Sequence, residues 1–341
     1  MTRFRNWLWI SGAAALSFGA AQASATAAQV DLSVMTYNIH GLPWPVALGR
    51  DADFGRRASQ LRAMRKERTQ PHVVVLQEAF TPAAKAIGRA GGYPFRAAGP
   101  AAVETNHQPL TAADQAFAAG ASWFKGERSG KLVDSGLEIL SDYPIVGIRR
   151  LAFPTFACAG YDCLANKGVQ MVALAVPGSP TPVIVATAHL NSRGSSGVAD
   201  ERSNYAYARQ VDAVGHFLAQ SPWPRYPIIF AGDFNVGKSL PRRTYLAAAT
   251  ARWWARWRQG PVRDAMHSCH GRAGRFPGAA EESFARAKDW QFFASTRLAA
   301  LSADAISVPF GRATDGSMLS DHFGYTARYR LSWSPSTARL R

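Results

Sequence analysis

Cysteine, lysine and long apolar runs are all scarce in this chain. Three cysteines in 341 residues exclude a disulfide-stapled miniprotein, in which cysteine exceeds roughly 8–10% of residues. Cys158 and Cys163 lie close together, and Cys269 stands alone between His267 and His270. None belongs to a C-x2-C pair of the kind that builds a structural zinc site. Whether Cys158 bridges Cys163 stays open, because spacing alone does not fix the Cα separation a disulfide needs. Charged residues make up only 18%, yet the balance is one-sided: 39 basic against 23 acidic, a formal net charge of +16. Just seven of the 39 are lysine, so the excess is nearly all guanidinium. That balance suits an anionic partner, and is equally compatible with a scattered basic surface. With 47% hydrophobic residues, disorder as the main state is excluded and a sizeable core is expected.

The most prominent apolar run comes first. Arg3 and Arg5 precede a 15-residue stretch from Trp7 to Ala21, followed by small residues such as Ala21-Gln22-Ala23. This is the pattern of an export signal, and it falls short of the ~20 residues a spanning helix needs. The expected organisation is a signal peptide over 1–23 with cleavage between 23 and 28, a linker over 24–30, a single catalytic domain over 31–331 and a frayed tail over 332–341. The mature chain is expected to be periplasmic or secreted, and monomeric.

No internal repeat follows. Short apolar runs bounded by turn residues predict buried strands at 32–37, 73–76, 137–140, 169–176, 183–188, 228–231 and 290–294. Helical spacing marks 56–67, with Leu61 and Met64 on one face, and 203–219, with Tyr207, Val211, Val214 and Leu218. The pattern is α/β with covered sheets. The stretches 97–131 and 259–287 read as loops or decoration over an active-site face. Trp253, Trp254 and Trp257 read as the core face of an amphipathic helix, with peripheral membrane contact as the alternative.

Polar groups able to bind metal or move protons recur at the ends of the apolar strands: Asn38 and His40, Glu78, His189 and Asn191, Asp233 and Asn235, Asp289, Asp321 and His322. A strand ending in such a group directs it into the loop face, where layered α/β folds bind ligands. Hard oxygen donors with little thiolate suit Mg²⁺, or Mn²⁺ or another divalent ion, with the two imidazoles left for proton transfer. A phosphoryl centre needs a base, a cation and an acid.

In order along the chain, Thr36-Tyr37-Asn38-Ile39-His40-Gly41, Val74-Val75-Leu76-Gln77-Glu78, Ser135-Gly136-Leu137 with Ser141-Asp142-Tyr143-Pro144-Ile145, Thr187-Ala188-His189-Leu190, Gly232-Asp233-Phe234-Asn235 and Ser320-Asp321-His322 resemble the motifs of the endonuclease/exonuclease/phosphatase superfamily. The resemblance implies a four-layer α/β/β/α sandwich of two packed mixed sheets, with the site at one end. Within the superfamily the chain looks most like secreted neutral sphingomyelinases: Asp162-Cys163-Leu164-Ala165-Asn166-Lys167-Gly168 resembles their D-x-L-x-x-K-G segment, and Gln77-Glu78-Ala79-Phe80 their metal strand.

That likeness implies Glu78 as principal metal ligand with Asn38 and Asp321 nearby, His322 as general base and Asp289 as its orienter. His189, Asp233 and Asn235 would act at the phosphate and leaving oxygen. Asp162, Lys167, Asn191 and His40 would contact substrate, a phosphodiester of the phospholipid class. The chain departs from the pattern at His72, where Asp is usual, and at Glu138, where a small residue is usual. It also departs at Lys288-Asp289-Trp290-Gln291-Phe292-Phe293, which lacks the usual D-Y-I although its Asp is in place. The segment 307–319 is short and holds Phe310 as its one aromatic. It therefore lacks the aromatic hairpin that carries membrane contact in the secreted sphingomyelinases of pathogens, and better turnover on detergent-dispersed sphingomyelin than on intact vesicles is expected. The alternatives are a nuclease acting on nucleic acid or an inositol-phosphate type phosphatase of the same superfamily, and, from another class, an inactive phosphate-binding homologue.

Overall fold

A computed structural model of the chain describes residues 28–42, 51–254 and 262–334. The expected leader and Trp257 lie outside these residues. Among the described residues no helix is long and apolar enough to cross a membrane.

The elements follow one another as β1 (Ala28–Gly41), α1 (Asp51–Lys66), β2 (Val73–Ala79), α2 (Pro82–Ala90), β3 (Phe95–Ala98), α3 (Ala112–Ala119), β4 (Glu138–Ser141) and β5 (Ile145–Ala152). After a 3₁₀ turn at Gly160–Leu164 come β6 (Gly168–Leu174), β7 (Val183–Ala188), α4 (Asp200–Ala219), β8 (Ile228–Asp233), α5 (Leu240–Trp253), β9 (Arg263–Asp264), α6 (Ala265–Ala273), α7 (Gly278–Arg286), β10 (Asp289–Ala294), β11 (Ala300–Phe310) and β12 (Gly324–Trp333). Two six-stranded sheets result, ordered β11-β12-β1-β2-β4-β3 and β5-β6-β7-β8-β10-β9. Both are mixed: β1 pairs parallel with β2 but antiparallel with β12, and β7 pairs parallel with β8 while β10 runs antiparallel to it.

The period-2 geometry of a strand sorts each apolar run onto two faces. Leu32 and Val34, Val73 and Val75, Val172 and Leu174, Val183 and Val185, and Ile229 fill the layer between the sheets. The intervening Val169, Met171, Ile184, Ala186, Ile228 and Phe230 pack outward on Tyr207, Val211, Phe217 and Trp253 of α4 and α5. On the other sheet Met35, Tyr37, Val74 and Leu76 pack on Phe54, Leu61 and Ile87 of α1 and α2. Both faces being covered explains why these strands are apolar throughout. The result is the expected α/β/β/α sandwich.

Several local expectations are corrected. Residues 28–30, read as linker, are strand, pairing with Trp333, Ser332 and Leu331; this also removes Ser332 and Trp333 from the expected frayed tail. The stretch 97–131 contains the end of β3 and all of α3, which starts on a capping box between Thr111 and Asp114. The stretch 259–287 contains β9, α6 and α7. Trp253 and Trp254 are buried, as their reading as core required. Cys158 and Cys163 form a disulfide with Cα atoms 5.1 Å apart, while Cys269 is a buried free thiol.

Candidate active site

The layer between the sheets is dry at one end and becomes polar step by step toward the other. Continuing the inward face, β1 runs from Val34 to Thr36 and Asn38, β2 from Val75 to Gln77, β8 from Ile229 through Ala231 to Asp233, and β10 from Phe293 through Gln291 to Asp289. The first polar tier is closed on itself. Gln77 accepts from Thr36 Oγ1 at 3.4 Å and donates to Thr187 Oγ1 at 3.2 Å, and Gln291 donates to the Val34 carbonyl at 3.2 Å. Above this floor the second tier opens into a cleft of about 500 Å³.

Backbone conformation aims the groups. His40, Glu78 and Asn235 have φ of 50°, 59° and 48°, the left-handed region that costs a side-chain-bearing residue strain and clusters at functional sites. At Glu78 this interrupts the strand's alternation, which would otherwise send position 78 outward with Leu76. Its Oε1 instead accepts from Asn38 Nδ2 at 2.8 Å in the inner layer. Close approach of strand ends requires glycine at two places. A Cβ on Gly41 would lie 2.4 Å from the Glu78 carbonyl oxygen, and one on Gly232 would lie 2.3 Å from that of Ala188. The second contact brings His189 beside Asp233, where the two form an isolated parallel bridge.

His322 is the centre of the arrangement. Its Nδ1 lies 2.9 Å from Asp289 Oδ2, and its Nε2 faces Asp233 Oδ2 at 3.6 Å and Lys288 Nζ at 3.5 Å. Ser320 fixes this loop by donating to the Asn38 carbonyl at 2.7 Å while accepting from the His322 amide at 3.2 Å. Burial works against the imidazolium, but Asp289 and Asp233 outweigh it and raise the His322 pKa to about 10. Asp289 is itself pushed up by its burial, so the pair shares a tightly held proton. Burial also opposes ionisation of Asp233, yet the facing His322 and hydrogen bonds from Asn38 Nδ2 and the Asn235 amide keep its carboxyl below the usual range.

His189 is the opposite case. Its Nε2 lies 3.3 Å from Lys167 Nζ and 3.5 Å from Asp233 Oδ2, and burial, reinforced by the Lys167 cation, pulls its pKa down to about 3. It is therefore neutral at neutral pH. Lys167 is in turn paired with Asp162 at 2.8 Å, both side chains largely buried. Asp162 also accepts from the Ser192 amide, and Lys167 donates to the Leu190 carbonyl at 3.1 Å.

Glu78 supplies the test for a metal. Its Oε2 is buried with no hydrogen-bond partner, and burial, against the pull of Asn38 and Lys167, pushes its pKa up to about 7. An orphaned carboxylate oxygen in a polar cleft fits a divalent cation, which compensates the desolvated charge. A second grouping, Asp233, Asp289 and His322, brings candidate ligand atoms within 4.8 Å of one another, but the Asp289–His322 hydrogen bond already occupies one side of it.

Of the residues singled out from sequence, His40, Glu78, Asp162, Lys167, His189, Asp233, Asn235, Asp321 and His322 all line the cleft. Asp289 stands behind His322, and Asp321 is half exposed at the rim, 3.5 Å from His40 Nδ1. Asn38, expected beside the metal, spends Oδ1 on the His40 amide and turns Nδ2 to Glu78 and Asp233, so it braces two carboxylates. Asn191 is a correction. It is fully buried, accepts from the Ala159 amide at 3.0 Å and donates to the Ser192 carbonyl at 2.8 Å, so it holds the loop and is not among the residues lining the cleft.

Two important residues escaped the sequence reading. Lys288, directly before Asp289, places a second amine in the cleft; its signal was a cation adjoining a motif carboxylate. Arg242 is buried over the Tyr207 ring and donates to the Asn191 and Asn235 carbonyls at 2.6 and 3.0 Å and to Asn204 Oδ1 at 2.8 Å. One guanidinium thus ties together the loops after β7 and β8. Burial lowers its pKa to about 10. Phe80, Leu132, Val133, Tyr161 and Leu164 form an apolar part of the cleft wall.

A family model described as the Endonuclease/Exonuclease/phosphatase family matches residues 35–322. No curated protein matches the chain in sequence. Among solved structures, a beta toxin double mutant from Staphylococcus aureus with bound magnesium ions is 17% identical with a TM-score of 0.52, covering 89% of this chain and 100% of that one. Sphingomyelinase C from Streptomyces griseocarneus is 21% identical with a TM-score of 0.50, covering 89% and 100%. D. rerio TDP2 complexed with single strand DNA product is 16% identical with a TM-score of 0.55, covering 88% and 98%. At these identities the likeness establishes a shared fold.

Proposed function

This chain belongs to the endonuclease/exonuclease/phosphatase family, and on that premise we propose that it is an exported, Mg²⁺-dependent phosphodiesterase that hydrolyses the headgroup phosphodiester of a phospholipid, as a sphingomyelinase does. The observation that carries the reading is the pairing, across one cleft, of the His322–Asp289 dyad with the unpartnered Glu78 oxygen. Glu78 would hold the metal, with Asp321 as a rim ligand and Asn38 keeping the carboxylates in register. The bound ion would neutralise phosphate oxygens and polarise phosphorus. His322, deprotonated in the loaded site, would take a proton from the attacking water at Nε2.

Asp289 then stabilises the imidazolium that forms. The new bond joins water oxygen to phosphorus, the bond from phosphorus to the lipid alkoxide breaks, and the alkoxide leaves as the alcohol after taking up a proton. Lys167, Lys288 and neutral His189 surround that region with N–H donors, and Asn235 and Asp233 complete the phosphate cradle. The phospholipid preference rests on the apolar part of the cleft wall and on the buried Asp162–Lys167 pair of the D-x-L-x-x-K-G segment.

The test is a panel of sphingomyelin and phosphatidylcholine in detergent, plasmid DNA and bis-p-nitrophenyl phosphate, with Mg²⁺ and with chelator. Hydrolysis of the choline lipids that stops on chelation is expected. Efficient cleavage of DNA with none of sphingomyelin would replace this reading with that of a nuclease, the direction the net positive charge favours. Binding of phosphate with no turnover of any diester would leave a non-catalytic homologue.

A further inference from the structure

The segment before Ser320 offers no exposed aromatic among the described residues, since Phe310 is buried under β12 and against Tyr37. Exposed aromatics stand elsewhere. Between α3 and β4, Trp123 and Phe124 are adjacent in the chain and 65% and 94% exposed. Their exposure is built in, because the base of this loop is clamped. Glu127 closes it by accepting from the Ser122 amide at 2.6 Å, and its other oxygen accepts from the Gly160 amide at 2.9 Å and Arg202 Nε at 2.6 Å. The Arg202 guanidinium lies 4.2 Å from the centre of the Phe117 ring. Gly126, at φ 77°, abuts Leu164 so closely that a Cβ would come within 2.9 Å of it. A loop fastened by a buried carboxylate cannot fold its tip back over the apolar surface beneath, so the two rings project into water.

The surroundings identify what they meet. Lys125 follows Phe124 and lies over the Tyr161 ring at 5.4 Å, and Arg128 is exposed. The single acidic group of the tip, Glu127, is consumed by Arg202 and backbone amides. A tip of paired aromatics beside two cations, Lys125 over the Tyr161 ring and Arg128 on the Ala119 carbonyl, matches a phospholipid surface, where indole and phenyl rings enter the headgroup layer and Lys and Arg reach the phosphates. Tyr161 and Leu132, the residues that carry this surface into the cleft, are themselves exposed and line its apolar wall. The tip is thus joined through Lys125 and Tyr161 to the rim of the cleft.

We propose that the Trp123–Phe124 tip is the surface by which this protein seats on a phospholipid interface, in place of the Ser307–Leu319 segment. The proposal deepens the phospholipid reading above and rests on it. It predicts useful activity on bilayers despite the missing hairpin.

The experiment compares the full mature chain with Trp123→Ala/Phe124→Ala in sedimentation with sucrose-loaded vesicles of phosphatidylcholine and phosphatidylglycerol, beside turnover of bis-p-nitrophenyl phosphate. Expected is a fall of about tenfold or more in vesicle partitioning, with turnover of the soluble diester unchanged. Phe124→Leu should retain most of the binding and Phe124→Asp should abolish it. The control Val146→Ser/Ile148→Ser, on exposed positions of the edge strand β5, should leave binding intact. Wild-type partitioning in the double variant, or no vesicle binding by the wild type, overturns the proposal. If the wild type binds vesicles through the tip but cleaves no phospholipid, the surface stands and the substrate reading falls. If it cleaves micellar sphingomyelin while the double variant matches it on vesicles, the substrate reading stands and the surface falls.

Discussion

Removing His322 and Asp289 singly and together separates a working unit from two independent contributors. His322 Nδ1 and Asp289 Oδ2 are 2.9 Å apart, with side chains only 5% and 6% exposed. Each loss alone is expected to cost about 10²–10⁴ in rate, the usual contribution of general-base catalysis. If each single variant costs ~10³, independent action would give ~10⁶ for the double, whereas a base and its orienter give a double loss close to either single one. Stability supplies a second cycle with a different sign. His322→Ala leaves the Asp289 carboxylate buried without its partner and should cost ~3–5 kcal/mol, while the double His322→Ala/Asp289→Ala removes that stranded charge, leaving only Asp233 without the facing imidazole, and should cost less.

The pH dependence of the metal-free protein follows from the same pair. The His322 pKa is raised from 6.5 to about 10 in the folded state. The folded protein binds that proton more tightly than the unfolded chain, so the stabilisation is complete below about 6.5 and is lost as pH rises through about 10. Urea midpoints in chelator across this window should fall in the wild type and flatten in His322→Ala. Additive rate losses, losses below about tenfold, or identical pH profiles for the two proteins would refute the dyad.

Three further outcomes are expected. Glu78→Gln removes the charge that offsets a divalent ion and should lower Mg²⁺-dependent turnover by about 10² or more, with weaker Mg²⁺ binding in calorimetry; unchanged binding would move the metal elsewhere. Arg242→Met should cost ~2–5 kcal/mol in urea unfolding, because it strands the buried Asn191 carbonyl and Asn204 side-chain oxygen; a change under ~0.5 kcal/mol would mean that the loops after β7 and β8 hold themselves. Lys167→Ala should depress hydrolysis of sphingomyelin far more than that of bis-p-nitrophenyl phosphate, since binding energy from the larger substrate is spent on orientation, and equal losses on both would exclude a role in substrate class.

What could be read from sequence was whatever repeats with a period or stands in a motif. The strands buried on both faces were visible as apolar runs, and the polar residues at their ends were visible as departures from those runs. β12 was missed although Tyr325, Ala327, Tyr329 and Leu331 are buried and alternate with exposed Arg328 and Arg330. Its pattern is that of a strand with one wet face, not a continuous run. β11 was hidden by register shifts between Ala303 and Ala305 and again between Ser307 and Phe310, which break the period of two. In α6 the apolar face is partly made of imidazole, with His270 stacked on Phe284 at 4.4 Å, so a hydrophobic count finds little there.

At the site, residue type and position identified the cleft-facing set but could not say which way a side chain turns once its strand has ended. Asn191 and His189 are two residues apart and equally polar, yet one faces the cleft and the other secures a loop backbone. Arg242 was invisible for a related reason: its partners are main-chain carbonyls, which every residue carries.

The stepped polarity of the inter-sheet layer divides labour between two kinds of sequence change. The polar groups of the cleft stand at strand ends whose placement is dictated by strand register, so they can drift only as fast as the sandwich itself. The rim that carries Trp123, Phe124 and Tyr161 hangs from a few anchoring contacts, chiefly Glu127 and the Cys158–Cys163 bridge. Exchanging that rim would change the surface around the cleft while leaving the groups within it in place.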